Sequence, residues 1–488
     1  MKKQFRSDLL KFLLWIFVAF IAANFMPSAI ALGYIGYLSY KYITSRDVLV
    51  YFFVFISLLA GLAGLYGNSF DGLVSVSLIE FRLVQIFIFV NYIKYFTSKG
   101  DNKPVFHFKR PIIIFLLYFV FLIFWGFIYG VEETGRTGLR HYYQIANIII
   151  LIPVFLVLPY NLIGENFINR LSYLLFISLF INIAGQAFML IWGVPVFQFL
   201  NPDPNYSIVA GEINYMQESI RPIMAPWLII LALFLSFFAI IKKAQVFKLN
   251  FLSLAFFASC LSIFITATRG WILAFIIFII LGALLFSINI SKKVIGVFVV
   301  GIVLFLVLYS TSNLFKVQVD KSFDRLSTVE LIIEGDLSAG GTNKRHIRGA
   351  KVMEGFYKSP IIGLGFSSEG LEYTDQHVGN QMILLSGGIL GYFIILYIFS
   401  SIIIKTFGFN TILIKSPASN SQYNRELKLI PVFLASLFMI HSTSTSLFGF
   451  SIYTTAYGNM LWVVIFISII NKIFNEYLNE QQRYSYNH

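Results

Sequence analysis

The chain has 488 residues, 58% of them hydrophobic and only 12% charged, with a formal net charge of +13 and a mean hydropathy of +0.79. That balance excludes an ordinary soluble domain and indicates an integral membrane protein. A single cysteine, Cys260, excludes a disulfide framework and a thiolate metal site.

About fourteen apolar stretches approach the roughly 20 residues that a helix needs to cross ~30 Å of hydrocarbon. In chain order they lie near 10–25, 28–43, 48–66, 72–97, 111–130, 140–160, 170–192, 222–241, 249–267, 270–289, 293–311, 378–404, 428–446 and 453–471. The runs are continuous rather than alternating, which argues against a strand barrel. The expected fold is all-α: a polytopic helical membrane protein with about 12–14 transmembrane helices in a single domain over 1–488, carrying a smaller loop at 193–221 and a large loop at 312–377. The opening MKKQFRSDLLK leads into an apolar run with no small-residue cleavage pattern, so the first segment is expected to be a retained anchor.

Short loops rich in Lys and Arg stay cytoplasmic. With the N-terminus inside, 23 of the 36 basic residues fall on the inner side, and 17 of those 23 are lysine. The positive charge is therefore mainly a topology signal and gives no argument for nucleic acid. The short outer loops carry Arg136, Arg140, Arg221 and Arg269, and no lysine. Arginine presents a planar fork that pairs bidentately with phosphate, so external arginines suggest a bound anion. The competing reading is interfacial snorkelling, or pairing with Glu132, Glu133, Glu212 and Glu218.

Within the fourth stretch, SLIEFRLVQ places Glu80 and Arg82 in an expected spanning helix, where charge is costly and usually faces a protein interior. The 193–221 loop offers Tyr206 and Tyr215 for stacking on sugar rings, with Glu212 and Glu218 as hydroxyl acceptors; an ordinary connection with interfacial tyrosines is the alternative.

The large loop, on the outer side, has the most legible design. Gly340 and Gly341 break the chain, Thr342 or Asn343 can cap a helix, and Pro360 ends it. Five Lys and Arg occupy the fifteen residues 344–358. Ile347, Ala350, Met353 and Tyr357 recur on one predicted face, and Lys344, Arg348, Lys351 and Lys358 on another. This predicts an amphipathic external helix on which Arg345 and Arg348 are neighbours able to share one diphosphate; a basic helix resting on anionic headgroups is the alternative. Further along, His441 in FMIHSTSTSLF lies within an apolar stretch and is a functional candidate, although Ser442, Thr443 and Ser444 could satisfy it.

These residues carry a family resemblance. In RHIRGAKVMEGFYKSPIIGLG, Arg345 is followed fifteen positions on by Pro360, then by Gly363 and Gly365; in HVGNQMILLSGGILG, His377 precedes Gly388 by eleven residues and Gly391 by fourteen; ATRGW spans 267–271. The set resembles the signature of the O-antigen ligase and O-antigen polymerase superfamily of bacterial membrane glycosyltransferases. Two positions depart from it: Gly349 stands where an aromatic is usual, and Val378 where an Asn commonly follows the His.

The resemblance implies transfer of a saccharide from an undecaprenyl diphosphate-linked oligosaccharide to a hydroxyl of an acceptor glycan, at the periplasmic face of the bacterial inner membrane. It assigns Arg345 and His377 catalytic roles, and Arg269, Arg221, Arg348 and Arg82 are candidates for holding the diphosphate. His377 has the intrinsic range of a general base, and guanidinium groups would stabilise the departing diphosphate. No metal or other cofactor is expected, since the sequence has no Asp-X-Asp pair and no His-Glu-X-X-His helix. The lipid bilayer and a chain-length regulator are the further expected partners. Chain length favours a polymerase over a ligase moving finished polymer onto lipid A core; a flippase or other transporter is the reading from a different class.

Overall fold

The computed structural model describes residues 2–66, 74–76, 79–98, 104–130, 145–202, 222–242, 247–266, 268–286, 299, 302–303, 305–307, 309–333, 342–375, 378–414, 426–443, 446–450 and 454–486. The side chains of 2, 74–81, 269, 283, 286, 314, 325–333, 342–347, 409–414, 454–457 and 480–486 lie outside that description. The helices are α1 (Lys2–Phe25), α2 (Ser28–Thr44), α3 (Leu49–Leu59), α4 (Leu83–Thr97), α5 (Lys109–Gly126), α6 (Val154–Asn161), α7 (Phe167–Trp192), α8 (Val196–Leu200), α9 (Pro226–Ile241), α10 (Leu249–Ile265), α11 (Arg269–Phe286), α12 (Asn313–Ile333), α13 (Thr342–Lys358), α14 (Ser368–Tyr373), α15 (Gly379–Ile414), α16 (Leu429–Thr443) and α17 (Thr454–Tyr486). Among the described residues, 6 helices are long and apolar enough to cross a membrane, and further apolar helices of 10–17 residues accompany them. The chain is an all-α, multi-pass membrane protein.

One expectation needs correction. The fourth apolar stretch is not a single helix: an antiparallel hairpin of β1 (Val74–Val76) and β2 (Ile79–Phe81) precedes α4, with Ser75 opposite Glu80. The sequence VSVSLIEF alternates polar and apolar residues at a period close to two, which suits a strand. Glu80 therefore sits in a strand, and Arg82 is the extended residue just before α4, its backbone N–H donating to Gln85 Oε1 at 2.6 Å.

Two compact units form, one from residues 1–98, 162–268 and 282–326, the other from 99–161, 269–281 and 327–488. In the first, α9 is buried all round from Trp227 to Ala239, as its unbroken apolar sequence dictates. It packs on α10 and α7. Arg170, in the first turn of α7, is 3% exposed and fixes three segments at once. Its Nε and Nη2 donate to Asp8 Oδ2 and Oδ1 of α1 at 2.6 and 2.9 Å, and Nη1 donates to Asp47, whose Oδ1 accepts from Leu49 N at the start of α3. Lys94 of α4 donates to the carbonyls of Ile43 and Ser45, satisfying the C-terminal end of α2. Further along α7, Asn182 and Gln186 hold irregular backbone. Asn182 accepts from Ala63 N and donates to Met224 O, while Gln186 donates to Pro222 O and Ser262 O. Polar side chains in an apolar helix thus serve carbonyls and amides that the bilayer cannot.

In the second unit, Asn471 and Asn475 of α17 clamp the segment before α5, each exchanging hydrogen bonds with Val105 or His107 backbone at 2.8–3.1 Å. Burial first, and then the nearby Lys405 charge, hold the His107 imidazole below the usual histidine range.

Removing Arg170 leaves Asp8 buried without its cation. Arg170→Ala should cost about 3–5 kcal/mol of stability, and Arg170→Lys should recover only part, because an ammonium cannot keep the bidentate fork. Denaturant unfolding of the purified protein checks both; a wild-type midpoint for Arg170→Ala would contradict the anchoring role.

Candidate functional site

The expected amphipathic helix exists as α13, Thr342–Lys358, and ends just before Pro360. Its buried face differs from the predicted one. Val352 is fully buried and Phe356 nearly so, whereas Ala350 and Tyr357 are exposed. The reason lies in the glycines. A Cβ on Gly355 would meet Leu385 at 2.6 Å and Tyr373 at 2.7 Å, and one on Gly349 would approach the Gln381 side chain at 3.9 Å. The face lacking side chains is the one pressed onto α15. Val352 shares a core with Leu364, Val378, Met382 and Leu385, flanked by Tyr129 and Tyr373.

The segment after α13 gives the remaining motif residues their purpose. Helix α15 is interrupted at Gly388, where φ is 60° and ψ is −168°, a conformation essentially reserved for glycine. Residues 360–366 lie in this break and complete its hydrogen bonding. Leu364 N donates to Leu385 O at 2.8 Å and Gly365 N to Ser386 O at 3.0 Å; in return, Ile389 N and Leu390 N donate to Pro360 O and Ile361 O at 2.9 and 3.1 Å. On the other side, α5 holds the same segment. Trp125 Nε1 donates to Gly363 O at 2.9 Å, and Tyr118 Oη donates to Gly387 O. A Cβ at Gly365 would lie 2.6 Å from Leu122 O, one at Gly363 2.6 Å from Gly388 N, and one at Gly388 2.3 Å from Ile361 O. The Pro-X-X-Gly-X-Gly pattern and the Gly387–Gly388 pair are thus two halves of one backbone joint.

Two of the α13 cations, Arg348 and Lys358, pair with carboxylates in and just after α14. Arg348 is 46% exposed, and its Nε lies 3.4 Å from Asp375 Oδ2, beside the start of α15. Lys358 pairs with Glu369 Oε1 at 2.6 Å and sits 4.8 Å over the Tyr373 ring. The Glu369 carboxylate, then Tyr373, raise the Lys358 ammonium above the usual lysine range. Arg345 lies on the α13 backbone one turn before Arg348, and Arg269 is the first residue of α11; their side chains are outside the description. His377 and Arg221 fall outside the described residues, as do Arg136, Arg140, Tyr206, Tyr215, Glu212 and Glu218. Arg345, Arg348 and Arg269 belong to the second compact unit, and Arg82 to the first.

The joint also brings His441 to the head of α15. A Cβ on Gly379 would come within 2.8 Å of His441 Nδ1, and Asn380 Nδ2 donates to Ser442 Oγ at 3.0 Å. His441 was readable as a candidate; Asn380 and Ser446, which join it, were not, because only the fold brings those three segments together. Among the described residues no three His, Cys, Asp or Glu gather closely enough to hold a metal ion.

Compared with protein-family models, curated proteins and solved structures, the chain finds no match.

The joint predicts a sharp contrast between glycines. Gly388→Ala should lower stability by at least about 2 kcal/mol, from the strained φ and the clash together. Gly408→Ala, on the same helix with nothing within 4 Å, should stay within about 1 kcal/mol of wild type. Thermal unfolding in detergent measures both; equal midpoints would show that α15 is not interrupted.

Proposed function

We propose that the chain is a surface-polysaccharide polymerase, of O-antigen polymerase type, that transfers an undecaprenyl diphosphate-linked glycan to a sugar hydroxyl at the periplasmic face of the inner membrane. The observation that supports this most is the joint itself. It fastens the cationic helix bearing Arg345 and Arg348 to the helix that follows His377, so the two sets of groups the chemistry requires come from elements held in fixed register.

In the reaction, a sugar hydroxyl attacks the anomeric carbon of the donor saccharide, the bond from that carbon to the diphosphate oxygen breaks, and undecaprenyl diphosphate leaves. The hydroxyl proton passes to His377, a residue type suited to general-base work. Negative charge grows on the departing diphosphate, and guanidinium groups of Arg345 and Arg348, with Arg269 as a further contributor, stabilise it more in the transition state than in the ground state. The arginines supply by charge-assisted hydrogen bonding what a divalent cation supplies elsewhere. The exposed Arg348, loosely paired with Asp375, is available to an incoming anion.

Arg345→Gln and His377→Ala should each reduce polymer formation by at least about a hundredfold while the protein still inserts into the membrane. Wild-type polymer length and yield in both variants would remove these residues from the mechanism. Surface polysaccharide from a deletion strain separates the two enzyme readings: single repeats on lipid A core indicate a missing polymerase, and long polymer accumulating on the carrier indicates a missing ligase.

A further inference from the structure

Helix α5 and the short turn after it form one apolar run, Lys109–Tyr129, of 21 residues. At a rise of about 1.5 Å per residue it measures about 30 Å, the thickness of the hydrocarbon core. Contacts along it therefore mark depth. Ser368 N donates to Gly130 O at 3.0 Å, just past the Tyr129 end. Gly363 O accepts from Trp125 Nε1, one turn inside that end. Phe366 N donates to Leu122 O at 3.4 Å, and its ring lies 5.5 Å from that of Phe119; Leu122 and Phe119 are about 10 and 15 Å inside the same end. The strap thus descends from α13 beside α5, turns at Gly365 and Phe366, and climbs back to α14. Its two arms stay together: Lys358 of α13 pairs with Glu369 of α14, and Arg348 with Asp375 just after it.

Irregular backbone is tolerated at hydrocarbon depth only where protein buries or satisfies it. Residues 363–367 are buried. The exposed pair before them suits lipid, since Pro360 has no N–H and the carbonyls of Pro360 and Ile361 accept from Ile389 N and Leu390 N of α15. Ile361 is 70% exposed, and Leu390 and Phe393 on the adjoining face of α15 are 44% and 63% exposed, in a helix long and apolar enough to span. Ile361 therefore continues the lipid-facing surface of a spanning helix. The exposed face of α13 agrees with this depth. Glu354, Tyr357 and Ile361 succeed one another at helical spacing, all exposed. A carboxylate, a phenol and an alkyl chain follow in the order met on passing from water through the headgroups into hydrocarbon.

We infer that the strap and the C-terminal end of α13 form a re-entrant membrane-contact element, whose exposed face docks on the lipid of the leaflet at the Tyr129 end of α5. Ile361 lies against acyl chains and Tyr357 at headgroup level. An external helix, as the charge of α13 suggests, would keep both ends in water; here one end is sunk in the membrane. The inference does not rest on the glycosyl-transfer reading.

The test places one nitroxide label on the full chain in lipid nanodiscs, with the native cysteine removed by Cys260→Ala. The labelled variants are Glu354→Cys, Tyr357→Cys, Ile361→Cys and, as the lipid reference, Phe393→Cys. Electron paramagnetic resonance measures collision with oxygen, which concentrates in hydrocarbon, against a neutral nickel chelate, which stays in water. The oxygen-to-nickel ratio should rise from 354 through 357 to 361. At Ile361→Cys it should be at least about fivefold above Glu354→Cys and within about twofold of Phe393→Cys. A ratio at Ile361→Cys equal to that at Glu354→Cys would overturn the inference, because the strap would then lie in water. Low collision with both reagents would overturn it too: another part of the chain would cover the face or, where spin-spin broadening accompanies it, a second copy of the chain. Should Ile361→Cys fail to fold, Tyr357→Cys decides, a ratio between those of Glu354→Cys and Phe393→Cys upholding the inference and a ratio no higher than that of Glu354→Cys refuting it.

Discussion

A helix inside a bilayer must satisfy every backbone polar group from within the protein, and α15 breaks that rule at Gly388 and is repaired by residues 360–365. Much of the second unit depends on that repair. The glycines at 363, 365, 387 and 388 permit backbone to approach its neighbours closely, and α5 closes the joint from outside through Trp125 and Tyr118. The loop is consequently a rigid strap, although its sequence has the composition of a turn. Its two ends carry α13 and α14, so the cationic helix is tied to α15 by the strap's backbone hydrogen bonds as well as by its own core contacts.

That rigidity bears on chemistry because electrostatic stabilisation works best when the charges need not reorganise. On α13, Arg348 lies one turn before Val352, at the margin of the docked face. Val352, Gly355 and Phe356 are committed to α15 and its neighbours, leaving Arg348 and Lys351 exposed. The buried cations elsewhere do different work. Arg170 is consumed by Asp8 and Asp47, and Lys94 by the end of α2; both lie at helix ends and tie segments together. A transporter would be expected to place such charges on broken helices near the membrane midplane.

How much was legible in the sequence depends on which signals are local. The bounds of α13 came from breakers and caps, Gly340, Gly341, Thr342 and Pro360, and these act within a few residues. Its buried face did not, because hydrophobic periodicity counts side chains, and here the contact is made where Gly349 and Gly355 have none. The 74–81 hairpin was hidden in a long apolar run whose alternation is only eight residues long. The roles of Arg170 and Lys94 carry no local signal, because their partners, Asp8, Asp47 and two carbonyls, are remote in sequence. The motif glycines were visible, but as punctuation; their purpose as two faces of one joint needs coordinates. Of the candidate site, Arg348 and its neighbour Asp375 can be placed in contact, and the segment after His377 converges with His441.

The most direct measurement is a cryo-electron microscopy map of the chain in lipid nanodiscs with undecaprenyl diphosphate bound. The strap should be seated in the break of α15, and the diphosphate should lie within about 4 Å of guanidinium nitrogens on the helix 342–358, on the side nearest His377. A diphosphate bound away from that helix, or an unbroken α15 with the strap lifted off it, would contradict the central claim.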